Sequence, residues 1–356
     1  MDDNAIIYEI KKLQERVDSA SLPEDLKTRA MAMVERLTFM AKSGGYSTEY
    51  ESTDKYVDWI TSLPWGTTSK DILDLNHVKD VMEHNHYGLQ SVKDAILEYL
   101  SVMIMKNIRQ SQGADIFNRA PIISLVGLVG TGKTTIAYSI AEALGRKFQR
   151  IPFGGMGGAQ ILRGQSRVFP DAEPGLVIKA LRRAETNNPV ILLDELDRVT
   201  EGARSDIMGV LIELLDPEQN KNFTDHFIDY PFDLSNVLFI ATANNTKNIS
   251  TAVLDRLEII QMPSYSDQEK IIIAKSYMMP KILAESSLTP DDIIVDDDVW
   301  SHVVRPLGFD PGIRTLQRNL QAMVRKILRA VLEGKVKQDN GPFKVTAENI
   351  KEFLPT

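Results

Sequence analysis

Apolar positions along the chain follow three successive rhythms. In the first, Ile6, Ile10, Leu13 and Val17 recur every three or four residues, which marks one buried face of a helix. Leu26, Ala30, Met33 and Leu37 repeat the pattern. Before them, Ser21-Leu22-Pro23-Glu24 reads as a capping box, with Ser21 and Glu24 placed to satisfy the first free N–H groups. Gly44-Gly45 breaks the rhythm. Tyr56, Val57, Ile60 and Leu63 then predict a third helix that ends before Pro64, with Trp65 anchoring the junction. Residues 1–68 thus read as a small helical bundle, with a stripe for contacts between copies as the alternative use of those faces.

From about Asp71 the rhythm changes. Helical patterns over 76–85 and 90–107 precede apolar runs at 122–126, 148–152, 190–194, 237–243 and 258–261, which alternate with amphipathic helices. Such alternation predicts a mainly parallel sheet covered by helices on both faces, over residues 69–265. From about Gln268 the pattern is almost wholly helical, with a long stretch over 312–332 and a short closing strand at Phe343-Lys344-Val345. Residues 266–356 form the third unit. The predicted fold is α/β, preceded by a helical bundle and followed by a helical lid.

Composition narrows the function. A hydrophobic share of 43% and a charged share of 25% are those of an ordinary globular protein. The net charge of −8 disfavours sequence-independent nucleic-acid binding, which needs many basic side chains to release counterions. With no cysteine there is no disulfide framework, thiol nucleophile or cysteine-ligated zinc, and His77, His84, His86, His226 and His302 lack zinc-ligand spacing. No segment approaches the ~20 apolar residues of a membrane span, and the acidic start is unlike a signal peptide. The expected location is cytoplasmic.

The chemistry is concentrated after the run 122–126. Gly127-Leu128-Val129-Gly130-Thr131-Gly132-Lys133-Thr134, followed by Thr135, fits the phosphate-binding pattern of glycine, four residues, glycine, lysine and serine or threonine. Glycines let backbone N–H groups close on phosphate oxygens, and the next helix aims its positive end at them. Lys133 would reach the β- and γ-phosphates and Thr134 would ligate Mg²⁺. Val190-Ile191-Leu192-Leu193-Asp194-Glu195 is a buried-type strand ending in two acids. Asp194 would hold Mg²⁺ with Thr134, and Glu195 would polarise the attacking water. Asn244 ends another apolar strand. In a parallel sheet, ligands lie beyond the carboxyl ends of strands, which would bring Asn244 and Glu195 to one phosphate.

A longer set of motifs agrees with this. Tyr87-Gly88-Leu89, Lys133-Thr134, Leu192-Leu193-Asp194-Glu195, Leu215-Asp216-Pro217-Glu218-Gln219-Asn220, Phe232-Asp233-Leu234-Ser235, Phe239-Ile240-Ala241-Thr242-Ala243-Asn244 and Leu254-Asp255-Arg256 occur in this order. With them the chain resembles the AAA+ ATPase module of Lon proteases. The opening helices and Asp58-Trp59…Ser62-Leu63-Pro64-Trp65 are similar to the segment before that module, so essentially the whole chain is covered. The resemblance implies a P-loop AAA+ core whose substrate is ATP, with Tyr87 and Gly88 bordering the adenine. It implies that Asn244 senses the γ-phosphate, that Arg256 is a finger reaching into a neighbouring subunit, and that Arg314 is the sensor in the lid. It further implies a ring, a hexamer in the family, that pulls unfolded polypeptide with a pore aromatic at Phe169.

Some positions depart from the family pattern. Leu128-Val129 stands in place of two prolines, Gly157-Gly158-Ala159 in place of charged residues, and Pro170 in place of an aliphatic partner of the pore aromatic. The Lon protease domain is not found in this chain, and no Gly-x-Ser-x-Gly elbow or His-Glu-x-x-His pair substitutes for it. ATP hydrolysis without peptide cleavage by this polypeptide is the expectation, with protein unfolding or translocation as its use. A nucleotide-gated scaffold and a nucleic-acid remodeller are the alternatives.

Overall fold

The computed structural model describes residues 3–41, 47–111, 122–304, 312–334 and 342–354. The chain opens with three helices, α1 (Asp3–Ser19), α2 (Glu24–Ala41) and α3 (Ser47–Ser62). Helix α2 begins at Glu24, one residue after Pro23, so the capping box expected from Ser21 and Glu24 does not form. Pro23 fixes the entry into the helix instead, and its carbonyl accepts from the Lys27 N–H at 2.9 Å. The expected break at Gly44-Gly45 lies outside the described residues. Trp65 does sit at the junction: its Nε1 donates to the Ile60 carbonyl at 2.7 Å, and its ring packs edge-on against Tyr230 and obliquely on Phe232.

Helices α4 (Leu75–Asn85) and α5 (Gln90–Ser111) lead into the α/β unit. There, β1 (Ile122–Val126), α6 (Lys133–Leu144), β2 (Phe148–Pro152), α7 (Gln160–Arg163), α8 (Leu176–Ala184), β3 (Val190–Asp194) and α9 (Arg204–Leu215) follow in order. A hairpin of β4 (Phe223–Thr224) and β5 (Pro231–Phe232) was not foreshadowed by any periodicity; β6 (Leu238–Ala243), α10 (Thr251–Leu254) and β7 (Leu257–Gln261) complete the unit. The five long strands form one parallel sheet in the order β2-β3-β6-β1-β7. Sequence texture explains that order. Strands β3 and β6 are apolar except for Asp194 and Thr242 near their carboxyl ends and are buried at every position, as interior strands covered on both faces must be. Strands β2 and β7 mix Arg150, Gln149 and Glu258 among apolar residues and occupy the two edges.

The lid holds α11 (Asp267–Ile273), a π-helical turn (Ala274–Met278), α12 (Met279–Glu285), β8 (Ile293–Val295), α13 (Trp300–Val304), α14 (Arg314–Leu332), β9 (Phe343–Val345) and α15 (Ile350–Phe353). A complete capping box starts it, at Ser266 and Glu269. The closing strand β9 pairs in parallel with β8. Leu316, Leu320, Met323, Val324 and Ile327 line the buried face of α14, with helical spacing.

One sheet face is covered by α4, α5 and α6, and the lid has a core of its own. The other sheet face shares a single continuous core with α1–α3: Val17, Leu37 and Ile60 belong to the same cluster as Phe153, Phe223 and Leu234. Among the described residues no helix is long and apolar enough to cross a membrane.

Candidate functional site: a phosphate cradle at the carboxyl edge of the sheet

Strand β1 delivers the chain into the 127–132 loop, and Lys133 opens α6. Two glycines in it adopt left-handed conformations, Gly130 at φ 83° and Gly132 at φ 94°. Gly127 is required for a different reason, since a Cβ there would lie 2.6 Å from the Met262 carbonyl oxygen. The Lys133 ammonium is folded back into the loop, donating to the carbonyls of Gly127 (2.6 Å) and Leu128 (2.9 Å) and to Asn244 Oδ1 (3.2 Å). Burial lowers its pKa, opposed by the charges of Asp197, Asp194 and Glu195. Thr131 is fully buried and caps the Leu128 carbonyl at 2.9 Å. Thr134 and Thr135 are exposed on the first turn of α6, where Thr135 donates to the Gly132 carbonyl. The Leu128 and Val129 side chains in this loop are exposed.

The strand register gathers the acids beside the loop. Leu125 pairs with Thr242, and Leu193 with Ala241, so Asp194, Thr242 and the end of β1 lie at one edge. Asp194 is only 4% exposed and both its oxygens are engaged. The Thr242 hydroxyl donates to Oδ1, while Arg150 Nε donates to Oδ2 at 2.7 Å. The same Thr242 oxygen accepts the Glu195 N–H at 2.9 Å. Glu195 is left-handed (φ 61°, ψ 51°), a conformation a non-glycine residue adopts at a cost, and its carboxylate lies 3.3 Å from Arg198. A Cβ on Gly154 would lie 2.9 Å from Glu195 Oε2, so the turn after β2 leaves space for this side chain. Buried Asp197 fixes Asn244, accepting from its backbone N–H at 3.0 Å and its side-chain amide at 3.4 Å.

Arg150, Asp197, Arg198 and Thr242 are therefore parts of the site that motif reading missed. Asp197 and Arg198 follow the acid pair closely enough to have been suspected. Thr242 lies inside a quoted string, though nothing in its spacing foretold a hydroxyl bridging two acids. Arg150 carried no local signal, because only the β2–β3 pairing brings it to Asp194.

Tyr87 and Gly88 lie where α4 gives way to α5. Gly88 has φ 64° and faces Glu269 of the lid; Tyr87 packs obliquely on Tyr277, ring centroids 6.5 Å apart. Tyr277 sits in the π-helical turn, so an irregular turn of the lid meets this strip. His86 beneath it is buried, contacts Ser139 Oγ at 2.9 Å, and has its pKa lowered to about 4, first by burial and then by Lys93. Lys93, 2% exposed, donates to the His86 carbonyl and to Glu83, both at 2.7 Å.

The two arginines separate. Arg314 opens α14 and is exposed, its backbone N 3.3 Å from where a Gly130 Cβ would stand. Gly312 lies tighter still, since its own Cβ would meet the Val129 carbonyl at 2.4 Å, and the Ile313 N–H donates to the Gly130 carbonyl at 3.0 Å. The lid thus forms part of the cradle wall. Arg256 instead precedes β7, and its carbonyl accepts the Ile122 N–H. It lies at the amino edge of the sheet, on the order of 20 Å along the strands from the 127–132 loop. Its guanidinium pairs with Asp216 at 2.9 Å, and the pair with other local donors holds the Asp216 carboxyl below its ordinary pKa despite burial. Phe169 is 63% exposed and its neighbour Val168 88% exposed, on the loop between α7 and α8, so Phe169 is not a core residue.

Known proteins match this arrangement segment by segment. Residues 123–265 match the AAA family, the "ATPase family associated with various cellular activities", and residues 284–340 match the Lon protease AAA+ ATPase lid domain. A Lon protease of Lawsonia intracellularis is 41% identical over 346 residues, covering 97% of this chain and 40% of that protein. Lon protease 2 of Thermus thermophilus is 39% identical over 349 residues, covering 97% of this chain and 42% of that protein. The chain spans about two fifths of the length of these relatives. A parallel sheet that ends in a phosphate cradle, followed by a lid of this kind in this order, leaves one assignment: the chain belongs to the Lon family and carries its AAA+ ATPase module.

Proposed function

We propose that the chain hydrolyses ATP at the 127–132 cradle, in a ring of its own copies, and uses the energy to pull unfolded polypeptide. The observation that carries the reading is the gathering of Lys133, Asp194, Glu195 and Asn244 at one edge of the sheet, with Arg256 at the other. An arginine that distant cannot serve its own cradle, and in a ring it would exchange its Asp216 partner for a neighbour's phosphate.

The residues fit a Mg²⁺–nucleotide: glycines keep the cradle open, Thr134 is exposed beside it, and the Asp194 carboxyl ends β3 at the same edge of the sheet. Thr134 and Asp194 would hold Mg²⁺, which when bound neutralises charge on the phosphate oxygens. Lys133 exchanges its loop carbonyls for phosphate oxygens. Glu195 takes a proton from the water that attacks the γ-phosphorus, and the bond to the bridging oxygen breaks to give ADP and phosphate. Asn244, held by Asp197, orients that water. Arg314 reports the phosphates to the lid, and Tyr87 and Gly88 border the base. The exposed Phe169 grips the polypeptide, which in Lon-like proteins would pass to a protease domain.

ATP turnover measured over a wide range of protein concentration, with and without an unfolded protein and beside Glu195→Gln, tests this. Turnover should rise with concentration and with the unfolded protein, and fall by about 10²–10⁴ in the variant. Concentration-independent turnover would sink the ring mechanism; indifference to unfolded protein would favour a nucleotide-gated scaffold.

A further inference from the structure

The loop that carries Phe169 is held from outside its own domain. Its base belongs to the α/β unit. Asp225, fully buried, accepts the N–H groups of Gly175, Phe227 and Ile228 at 2.7, 2.8 and 3.1 Å, and the Arg163 carbonyl accepts the His226 N–H. Above that base the two stems are joined by one backbone bond, from the Gln165 N–H to the Glu173 carbonyl. Two adjacent residues of α3 then take one stem each. Lys55 Nζ donates to the Ala172 carbonyl at 2.9 Å, on the returning stem. The Arg167 guanidinium, on the outgoing stem, stacks 3.9 Å from the centre of the Tyr56 ring. Tyr56 is itself fixed, with its hydroxyl donating to the Ile228 carbonyl at 3.2 Å. Beyond the loop, Arg182 of α8 pairs with Asp58 at 2.7 Å and lies over Trp59, and Arg16 of α1 meets the same Asp58 at 3.0 Å.

We propose that Lys55 and Tyr56 are positioning residues for the Phe169 loop, so that the amino-terminal bundle sets the height and angle of the exposed 168–169 tip. This deepens the reading of Phe169 as the gripping residue and rests on it for its mechanical meaning. A bundle that merely stabilised the sheet would need only its apolar face. Here the polar and cationic groups of α3 and of the loop hold the stems on either side of Val168 and Phe169. A cation over an aromatic ring and a charged donor on a carbonyl are both short-range contacts that fix orientation. Displacement of α3 therefore moves both stems together while Asp225 keeps the base still.

The test is hydrogen–deuterium exchange over residues 164–175 of the full chain, comparing wild type with a Lys55→Met/Arg167→Met pair and with Phe169→Ala. Basal ATP turnover and its stimulation by a permanently unfolded, alkylated polypeptide are measured beside it. In the pair, the amides of Gln165, Phe169 and Ala172 should exchange roughly tenfold faster. Exchange in β1, β3 and β6 and basal turnover should stay at wild-type levels, while stimulation falls. Tyr56→Phe, which keeps the ring, should retain wild-type exchange. Unchanged exchange over 164–175 in the pair overturns the proposal, as does faster exchange with full stimulation when Phe169→Ala abolishes stimulation. If Phe169→Ala itself leaves stimulation intact, the gripping role is lost, and the exchange data still decide whether the bundle positions the loop. Should the pair fold poorly, Lys55→Met alone is read in the same way.

Discussion

Two glycine-containing loops of this molecule, 127–132 and 164–175, are built to opposite requirements. In the first, the backbone carbonyls are held from within, although the Leu128 and Val129 side chains are exposed. Lys133 and Thr131 satisfy its carbonyls, Gly127 touches Met262, and the lid leans on Gly130. In the second, the base is bonded to Asp225 and the stems to α3, yet the tip offers Val168 and Phe169 to solvent. The first loop is stabilised by its own backbone geometry, and the second at its base and stems.

Breaking the first loop should therefore cost chemistry and stability, and altering the second should cost neither. The largest effect is expected at Glu195: Glu195→Gln should lower turnover by about 10²–10⁴ while a fluorescent nucleotide still binds. Loss of binding together with turnover would mean that Glu195 shapes the cradle instead of activating water. Next comes pH. His86 titrates at about 4 in the folded chain against about 6.5 unfolded, so between those values the unfolded chain takes up the extra proton. The stability present above pH 6.5 should fall by about 3 kcal/mol as pH drops to 4, and urea unfolding of His86→Gln should lack that share of the slope. An identical slope in the variant would place the proton uptake elsewhere. Third, Gly127→Ala should destabilise by about 1–3 kcal/mol through the contact with Met262. Gly157→Ala, beside the second loop and with nothing within 4 Å, should stay within about 0.5 kcal/mol in the same melt. Smallest is Phe169→Ala, for which thermal unfolding should shift by less than about 0.5 kcal/mol, since the ring packs on little. A larger loss would return Phe169 to the core.

What could be read from the chain alone follows the same division. The phosphate loop, the strand ending in Asp194 and Glu195, and the one ending in Asn244 were legible because each is local: a motif of eight residues, or an apolar run with a polar tip. The lid was legible through the long apolar stripe of α14. Contacts between distant strands were not. Arg150 reaches Asp194 only through the pairing of β2 with β3, and Lys55 meets Ala172 across 117 positions. The capping box failed for a physical reason: Pro23 fixes the helix start at Glu24, leaving Ser21 too far back to reach the first turn. A complete box stands at Ser266 and Glu269 instead, at the entrance to the lid.

The backbone contact of Gly312 with Val129 and Gly130 has one more consequence. With no side chain between them, neither glycine stretch can shift without displacing the other, so the cradle has a wall that belongs to a different domain. Filling the cradle and tilting the lid are then two descriptions of a single coordinate. Whatever tightens the nucleotide's hold must bias the lid's angle by the same free energy, and whatever fixes that angle must return the same bias to the nucleotide.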